Sequence, residues 1–269
     1  VTPFDQALFT STSAVCVTGL VVQDTGSYWS GFGQAVILLL IQTGGLGVVT
    51  VAVSVFMLSG RKISLMQRST MQEAISAPTV GGIVRRTQFI IRTTILIEII
   101  GAALLAPVFC RDFGFWKGIW YSLFHSISAF CNAGFDLIGI RTPFSSLTSC
   151  SVQPIVNLVI MALIVAGGIG FLTWEDIKIH KWHFKKYKMQ SKVIFMVTGL
   201  LIFLPALYFF CFELSNVPLT ERVWVSLFQS VTPRTAGFNT ADLTLLSEVG
   251  QMLIIILMLI GGSPGSTAG

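Results

Sequence analysis

The sequence predicts an all-α membrane protein built from repeated units, each combining spanning helices with a short re-entrant helix and loop. Composition gives the first indication. Hydrophobic residues make up 53% of the 269 residues and charged residues only 11%, whereas a soluble domain carries about 25% charged residues. Mean hydropathy is +0.79. The second indication is an alternation of long apolar stretches with short aromatic-rich ones. The bilayer is the solvent that suits such a chain.

Four apolar stretches reach the roughly 20 residues that a helix needs to cross the hydrocarbon core. They cover residues 35–58, 89–109, 153–174 and 193–212. A fifth stretch begins at residue 249 and is predicted to break after Ile260, where glycines and a proline follow.

Three shorter segments alternate with the long ones. They cover residues 3–15, 115–131 and 219–232. They are too short to span, and their length fits re-entrant helices that enter the membrane and turn back. Each segment is followed by one glycine in a similar short sequence, and these glycines lie 115 (134 − 19) and 103 (237 − 134) residues apart. The glycines are Gly19, Gly134 and Gly237. Together with the glycine pairs that follow them, they indicate an internal repeat of about 100 residues.

The repeat predicts the domain organisation of helix–pore-loop–helix units around a central pore. The first repeat covers residues 1–60 as a pore helix, a filter and a second spanning helix. A linker at 61–88, a second repeat at 89–176, a linker at 177–192 and a truncated third repeat at 193–269 follow. We expect a fourth repeat to be missing, because both ends of the chain resemble cuts through a longer protein.

Basic residues predict the orientation. Twelve of the 17 Lys and Arg residues fall in or beside the two linkers. They are Arg61, Lys62, Arg68, Arg85, Arg86, Arg92, Lys178, Lys181, Lys185, Lys186, Lys188 and Lys192. The positive-inside rule makes this face cytoplasmic, so the re-entrant loops open to the outside of a multi-pass protein in the plasma membrane. Eight of the 12 acidic residues lie on the outer face, where negative charge concentrates cations.

The loops after the re-entrant segments are the candidate ion filter. A cation must exchange its water for other oxygens, and backbone carbonyls can supply them. Glycine adopts the backbone angles that such a loop requires, and the preceding helix directs its negative end toward the ion. We name these segments loops 1, 2 and 3. They comprise Val17, Thr18 and Gly19; Asn132, Ala133 and Gly134; and Thr235, Ala236 and Gly237. Any single glycine could be an ordinary turn, but three in register favour a K⁺ site formed by these nine residues.

The glycine pairs receive different interpretations. Gly44-Gly45 and Gly167-Gly168 are expected to let membrane helices approach closely. The glycine-rich loop, residues 261–269, has little that holds a helix, and broken backbone in a membrane needs protein or water around it. The candidate gate residues in it are Gly261, Gly262, Ser263, Pro264, Gly265, Ser266 and Thr267. A break that only relieves packing is the alternative. Arg234 would repel cations in the path, so we expect it to point away and act as a structural brace.

Other function classes lack support in the sequence. The net charge of +5 could suggest nucleic acid, but its concentration in two linkers favours a membrane. His180 and His183 have no cysteine or carboxylate partners at ligand spacing, which favours a solvated loop over a metal site. The glycine-rich loop is followed by no Gly-Lys-Ser/Thr within the chain, which argues against a phosphate loop. No nucleophile and base stand together, so we predict no enzyme.

At these motifs the chain resembles the Trk/Ktr/HKT superfamily of cation transporters, in particular the bacterial KtrB-type membrane subunit. The motifs extend over essentially the whole chain. They are Ser-Ala-Val-Cys-Val-Thr-Gly-Leu (13–20), Ile-Gln-Thr-Gly-Gly-Leu-Gly (41–47), Phe-Cys-Asn-Ala-Gly-Phe-Asp (130–136), Thr-Pro-Arg-Thr-Ala-Gly-Phe-Asn (232–239) and Gly-Gly-Ser-Pro-Gly-Ser-Thr-Ala-Gly (261–269).

The resemblance implies four repeats around one pore, a homodimer in the bacterial inner membrane, and a cytosolic ring of nucleotide-binding regulatory subunits of the RCK type. It implies K⁺ as the transported ion with no cofactor in this chain, while a dependence on Na⁺ stays open. Some plant relatives with serine in the first filter position favour sodium, so three glycines favour potassium. Membrane lipid is an expected partner and nucleic acid is not.

Two alternatives to a gated K⁺ pore stay open. The first is a secondary transporter coupled to sodium or protons, because such proteins bind substrate at broken helices. The second is a structural membrane subunit with no pore of its own. The repeated filter loops favour the pore.

Overall fold

A computed structural model of the chain describes residues 2–48, 50–51, 65–74, 82–140, 143–181, 183–215 and 217–268. Over these ranges the protein is helical and contains no strand. Arg61, Lys62 and Gly269 lie outside the described residues, as does the side chain of Arg68.

The first part of the chain forms three helices. They are α1 (Phe4–Val15), α2 (Thr25–Tyr28) and α3 (Gly31–Leu46). Asp24 caps α2 by accepting a hydrogen bond from the Ser27 amide. Helix α1 packs against α3, which brings the first predicted re-entrant segment against the helix that follows it.

Helix α3 is shorter than the sequence predicted. The stretch at 35–58 was expected to form one helix, but α3 ends at Leu46 and Gly47 has φ +82°. An L-residue rarely adopts that backbone angle, whereas glycine does so freely and ends helices there. Residues 52–64 lie outside the described part of the chain.

The second part contains helices α4 (Leu65–Ala74), α5 (Ile83–Phe113) and α6 (Phe115–Phe130). Helix α5 begins within the segment predicted as a linker at 61–88, and only Gly114 separates it from α6. The turn at Gly114 folds α6 back along α5, and these two helices share the most extensive helix contact in the described chain.

A bend interrupts the stretch at 153–174, which was also expected to be one helix. Helices α7 (Pro154–Gly168) and α8 (Phe171–His180) meet at an angle of 97°. Gly170, with φ +87°, makes the turn. The prediction was wrong because the third glycine of Gly-Gly-Ile-Gly was not recognised as a helix breaker.

The last part contains α9 (Met189–Tyr208), a π-helical turn (Phe209–Glu213), α10 (Leu219–Val231) and α11 (Glu248–Ile260). Ser247 caps α11 by accepting from the Gly250 amide at 3.2 Å. The chain leaves helix after Ile260, as predicted, and Gly261 has φ +64°.

Two helices in the described chain are long and apolar enough to cross a membrane, α5 and the continuous segment Met189–Glu213. The bent pair of α7 and α8 would make a third span. The short helices α6 and α10 pack inside this scaffold around fully buried phenylalanines, whereas α1 buries only Thr10, Ser13 and Ala14. Phe135 and Phe238, which directly follow loops 2 and 3, have no exposed surface. The all-α membrane architecture is therefore as predicted.

Candidate functional site

The fold brings loops 1, 2 and 3 into direct contact. Gly19, Gly134 and Gly237 have φ values of +73°, +71° and +80°. A Cβ added at Gly19 would lie 2.6 Å from the carbonyl oxygen of Ala133, and one added at Gly134 would lie 2.5 Å from that of Ala236. Each glycine thus adjoins the backbone of the next loop, and no larger residue fits at the first two positions without movement.

A buried hydroxyl supports each loop in the same way. Ser13, Ser128 and Thr232 lie near the ends of α1, α6 and α10. Their hydroxyls donate to the carbonyl that follows the loop glycine, at 2.7, 2.7 and 2.6 Å. The acceptors are Leu20, Phe135 and Phe238. This contact was not predicted, although the sequence carries a signal for it. A hydroxyl residue stands six positions before Gly19 and Gly134 and five before Gly237.

The first residue of each loop has an unusual backbone conformation. Val17 and Asn132 both have φ 55°, and Thr235 has φ 86°. Residues other than glycine seldom have positive φ, and such strain persists only where the surroundings enforce it. Val17 is 5% exposed and Asn132 is 1% exposed, so packing holds these positions.

Close packing, predicted for both glycine pairs, is found at Gly44 and Gly45 of α3 and at Gly167 of α7, but not at Gly168. A Cβ at Gly44 would clash with the Val15 carbonyl oxygen, and one at Gly167 with that of Phe130. Gly45 packs against the side chain of Cys131, because a Cβ added at Gly45 would lie 2.6 Å from the Cys131 sulfur. Glycine at these positions therefore lets the ends of α1 and α6 pack closely against α3 and α7.

The two glycines of the second pair are not equivalent, and this gives a test. We expect Gly167→Ala to lower the free energy of unfolding by about 1–3 kcal/mol, because the methyl group overpacks a fixed backbone. Gly168→Ala is the matched control, since a Cβ there has no atom within 4 Å. Thermal unfolding of the detergent-solubilised protein measures both. Equal melting temperatures for the two variants would contradict the packing assignment.

A polar network behind loop 2 occupies the interior of the bundle. Gln42 of α3 donates to a side-chain oxygen of Glu98 in α5 at 3.2 Å, which gives this buried residue a partner inside the bundle. The Cys131 thiol lies 3.8 Å from the Gln42 side-chain oxygen, and the Ser126 hydroxyl donates to the Glu98 carbonyl at 2.7 Å. This network links α3 and α5 to the end of α6.

The glycine-rich loop pairs with the bend between α7 and α8. The Ser263 amide donates to the Gly168 carbonyl at 3.0 Å, and the Thr267 amide donates to that of Gly167 at 3.2 Å. The Phe171 amide donates in turn to the Gly265 carbonyl at 2.8 Å. These bonds supply the partners that non-helical backbone needs inside a membrane.

Among the described contacts, the Thr267 hydroxyl is the one from this loop that reaches a neighbouring element. The Thr267 hydroxyl donates to the Phe130 carbonyl. The Ser266 hydroxyl instead accepts from the Ala268 amide inside the loop, and Ser263 joins through its backbone. The tight turn at Gly265, with φ +66°, brings Ser266 within reach of that amide.

Arg234 lies between loop 3 and the glycine-rich loop. Its Nε donates to the Gly261 carbonyl at 3.3 Å. That carbonyl follows the last residue of α11, where unpaired carbonyls form the negative end of a helix. The guanidinium therefore ties loop 3 to the start of the glycine-rich loop.

Asp24 and Asp136 accept hydrogen bonds from backbone amides. Asp24 is buried and accepts from the amides of Ser27 and Phe144. Asp136, two residues after Gly134, accepts from the Ile138 amide at 3.0 Å. Burial raises the pKa of the Asp136 carboxyl to about 6, and the charge of Asp24 adds to this effect.

This arrangement of apolar helices around clustered, glycine-centred loops is that of a multi-pass membrane protein. A family model described as TrkH, cation transport protein, matches residues 2–269. The chain belongs to this family, which is a family of transporters and not of enzymes.

Two curated relatives and one solved structure resemble this chain over almost all of its length. The potassium/sodium uptake protein NtpJ of Enterococcus hirae is 41% identical over 100% of this chain and 59% of its own length. The Ktr system potassium uptake protein B of Bacillus subtilis is 41% identical over 97% of this chain and 59% of its own length. The crystal structure of the potassium transporter TrkH from Vibrio parahaemolyticus has the same fold, with a TM-score of 0.69 and 19% identity over 100% of this chain and 52% of that chain. The chain thus spans about three-fifths of the length of these curated relatives.

Proposed function

We propose that the full-length protein containing this chain takes up potassium through a gated pore whose filter includes loops 1, 2 and 3. The observation that carries this proposal is the contact between the loops. Gly19 adjoins the Ala133 carbonyl and Gly134 adjoins the Ala236 carbonyl. The backbones of three separate segments thereby lie side by side, and in this proposal their carbonyl oxygens replace the hydration shell of a cation.

The helices that lead to the loops contribute electrostatically. Helices α1, α6 and α10 end immediately before loops 1, 2 and 3, at Val15, Phe130 and Val231. A helix C-terminus carries about half of a negative elementary charge. Three such ends favour a cation without a fixed acidic side chain in its path.

A fourth segment is proposed to complete the filter. Among the described residues, a Cβ at Gly237 would have only the Gly134 Cα within 4 Å, at 3.7 Å. Leu20, which follows loop 1, is 62% exposed, whereas Phe135 and Phe238 are fully buried in the equivalent places. Loops 1 and 3 are therefore the two ends of an open arc that a further loop can close.

Potassium is the proposed ion because one of the relatives above is named for potassium uptake and another for potassium/sodium uptake. The three loops carry glycine rather than serine. The proposal includes a dependence of K⁺ transport on Na⁺, either as an activator or as a co-transported ion. K⁺ uptake measured with and without Na⁺ tests this dependence.

The glycine-rich loop is the proposed gate. It is held by the backbone bonds at Ser263, Gly265 and Thr267, by the two side-chain bonds of Thr267 and by the Arg234 contact to Gly261. Each net hydrogen bond contributes about 0.5–1.5 kcal/mol, so a modest input of free energy can displace it. Arg234 acts in this proposal as a brace that fixes the start of the loop beside loop 3.

The regulatory partner is proposed to be a cytosolic ring of nucleotide-binding, RCK-type subunits, and the protein itself a homodimer in the plasma membrane with the filter entrance outside. The basic face supports this orientation. Arg85, Lys178, Lys185 and Lys186 are exposed at the ends of α5 and α8 and in the turn that follows α8. Such a surface suits a cytoplasmic partner and the headgroups of anionic lipid.

Expression in bacteria that lack potassium uptake tests the proposed function. We expect the full-length protein to restore growth and K⁺ uptake at low external potassium. Gly134→Ala is the comparison variant, because its Cβ would collide with the Ala236 carbonyl. Membrane-inserted wild-type protein that moves no K⁺ would overturn the proposal.

The Asp136 carboxyl makes this uptake dependent on pH. Its pKa of about 6 means that the negative charge beside loop 2 is present at pH 7.5 and mostly lost at pH 5. We expect the apparent affinity for K⁺ to fall severalfold between these values, because the local cation concentration declines. Asp136→Asn should show the low affinity at both pH values. An identical pH profile for wild type and variant would contradict the assignment.

A further inference from the structure

Thr267 makes a side-chain contact that joins the glycine-rich loop directly to loop 2. Its hydroxyl is buried, with the residue 2% exposed. It donates to the Phe130 carbonyl at 2.6 Å and accepts from the Asn132 side-chain amide at 3.1 Å. A hydroxyl has one hydrogen and two lone pairs, and this one uses both functions at once.

The two partners are the residues that determine where loop 2 begins. Phe130 is the last residue of α6, and its carbonyl belongs to the turn that has no partner inside the helix. Asn132 is the first residue of loop 2 and has φ 55°. A strained residue keeps its conformation only where neighbours enforce it, and the bond to Thr267 is one such constraint.

The position of Thr267 is itself fixed by the backbone. Its amide donates to the Gly167 carbonyl at 3.2 Å. A Cβ at Gly167 would lie 2.5 Å from the Thr267 hydroxyl and 3.0 Å from the Asn132 amide nitrogen. Glycine at 167 is therefore what allows the three residues to meet.

Loop 1 lacks this link among the described residues. Its first residue is Val17, which has the same φ of 55° as Asn132 but carries no polar side chain. Loop 3 touches the glycine-rich loop through Thr235, whose methyl carbon would lie 3.5 Å from a Cβ at Gly261, and through Arg234. The amide of Asn132 thus gives loop 2 a side-chain bond that Val17 cannot make.

We propose that Thr267 is a positioning residue that couples the glycine-rich loop to the ion selectivity of the filter. This inference rests on the proposed function. When the loop is in place, Thr267 holds Asn132 and thereby the carbonyls of loop 2. When the loop is displaced, both hydrogen bonds break and loop 2 relaxes. The same movement that opens the path therefore loosens discrimination between potassium and sodium.

Thr267→Val tests the coupling, because valine keeps the branched shape and removes the hydroxyl. We expect the ratio of K⁺ to Na⁺ uptake by the full-length protein to fall at least threefold. Thr267→Ser, which keeps the hydroxyl, should restore the wild-type ratio. Ser266→Ala is the matched control, since that hydroxyl bonds only inside the glycine-rich loop, and it should leave the ratio unchanged.

Asn132→Leu removes the other partner and provides the second measurement. We expect it to lower the ratio as Thr267→Val does, and the double variant to lower it no further than either single one, because residues that share one interaction are not additive. If Thr267→Val does not reach the membrane, Thr267→Ala, which also removes the hydroxyl, takes its place.

The outcomes separate this inference from the proposed function. A wild-type protein that transports no K⁺ defeats the proposed function. A wild-type protein that transports K⁺, with variants that insert normally and keep the wild-type K⁺/Na⁺ ratio while changing only total flux, overturns the coupling. In that case Thr267 holds the loop without acting on the filter.

Discussion

Gly19→Ser is expected to lower the preference for potassium over sodium by about tenfold, which corresponds to about 1.4 kcal/mol. Two physical effects oppose a side chain at this position. Gly19 has φ +73°, and its added Cβ would lie 2.6 Å from the Ala133 carbonyl oxygen. A side chain at this position must push loop 2 away and rotate a carbonyl of the proposed filter. Competition between K⁺ and Na⁺ in uptake assays measures the effect.

The structure also ranks the three glycines. Gly134→Ala should abolish K⁺ uptake, because its Cβ would lie 2.5 Å from the Ala236 carbonyl oxygen. Gly237→Ala should reduce K⁺ uptake less, because only backbone strain at φ +80° opposes the added methyl group. Gly31→Ser is the control, because a Cβ at Gly31 has no atom within 4 Å. An unchanged K⁺/Na⁺ ratio for Gly19→Ser would remove loop 1 from the filter.

Deletion of residues 262–265 is expected to raise cation flux severalfold and to weaken its dependence on the regulatory partner. The deletion removes the Ser263 bond to Gly168 and the Gly265 bond from Phe171. It leaves too little chain to lie across the path that the loop is proposed to close. Flux into liposomes, measured with and without the regulatory subunit, reports both effects.

A conservative variant of the same loop separates gating from general disruption. Ser263→Ala keeps the backbone amide that bonds to Gly168, so it should retain regulated flux. A deletion variant that folds, inserts and still shows wild-type regulation would leave the loop as a break that relieves helix packing.

Much of the helical plan could be predicted from local sequence. The re-entrant segments expected at 3–15, 115–131 and 219–232 correspond to helices Phe4–Val15, Phe115–Phe130 and Leu219–Val231. These limits are encoded nearby, by Pro3 and Pro218 before α1 and α10 and by Gly114 before α6. Hydropathy alone failed at Gly47 and Gly170, because an apolar stretch continues through a glycine whose backbone has turned.

The candidate site could be located but not assembled from the sequence. Repetition identified the loop glycines, but it did not predict which loops touch. The contact from Gly19 to Ala133 and the bond from Thr267 to Phe130 join residues more than 100 positions apart. Such contacts depend on how α3 and α7 carry the chain back, which no local pattern specifies. The direction of the Arg234 side chain depends in the same way on where α11 ends.

Flux through the full-length protein in liposomes tests the central claim most directly. With a K⁺ gradient as the only driving force, and no gradient of Na⁺ or protons, we predict K⁺ flux down its gradient that exceeds Na⁺ flux and is abolished by Gly134→Ala. Flux that appears only when a Na⁺ or proton gradient is imposed would instead indicate a coupled secondary transporter. That result would contradict a pore lined by loops 1, 2 and 3.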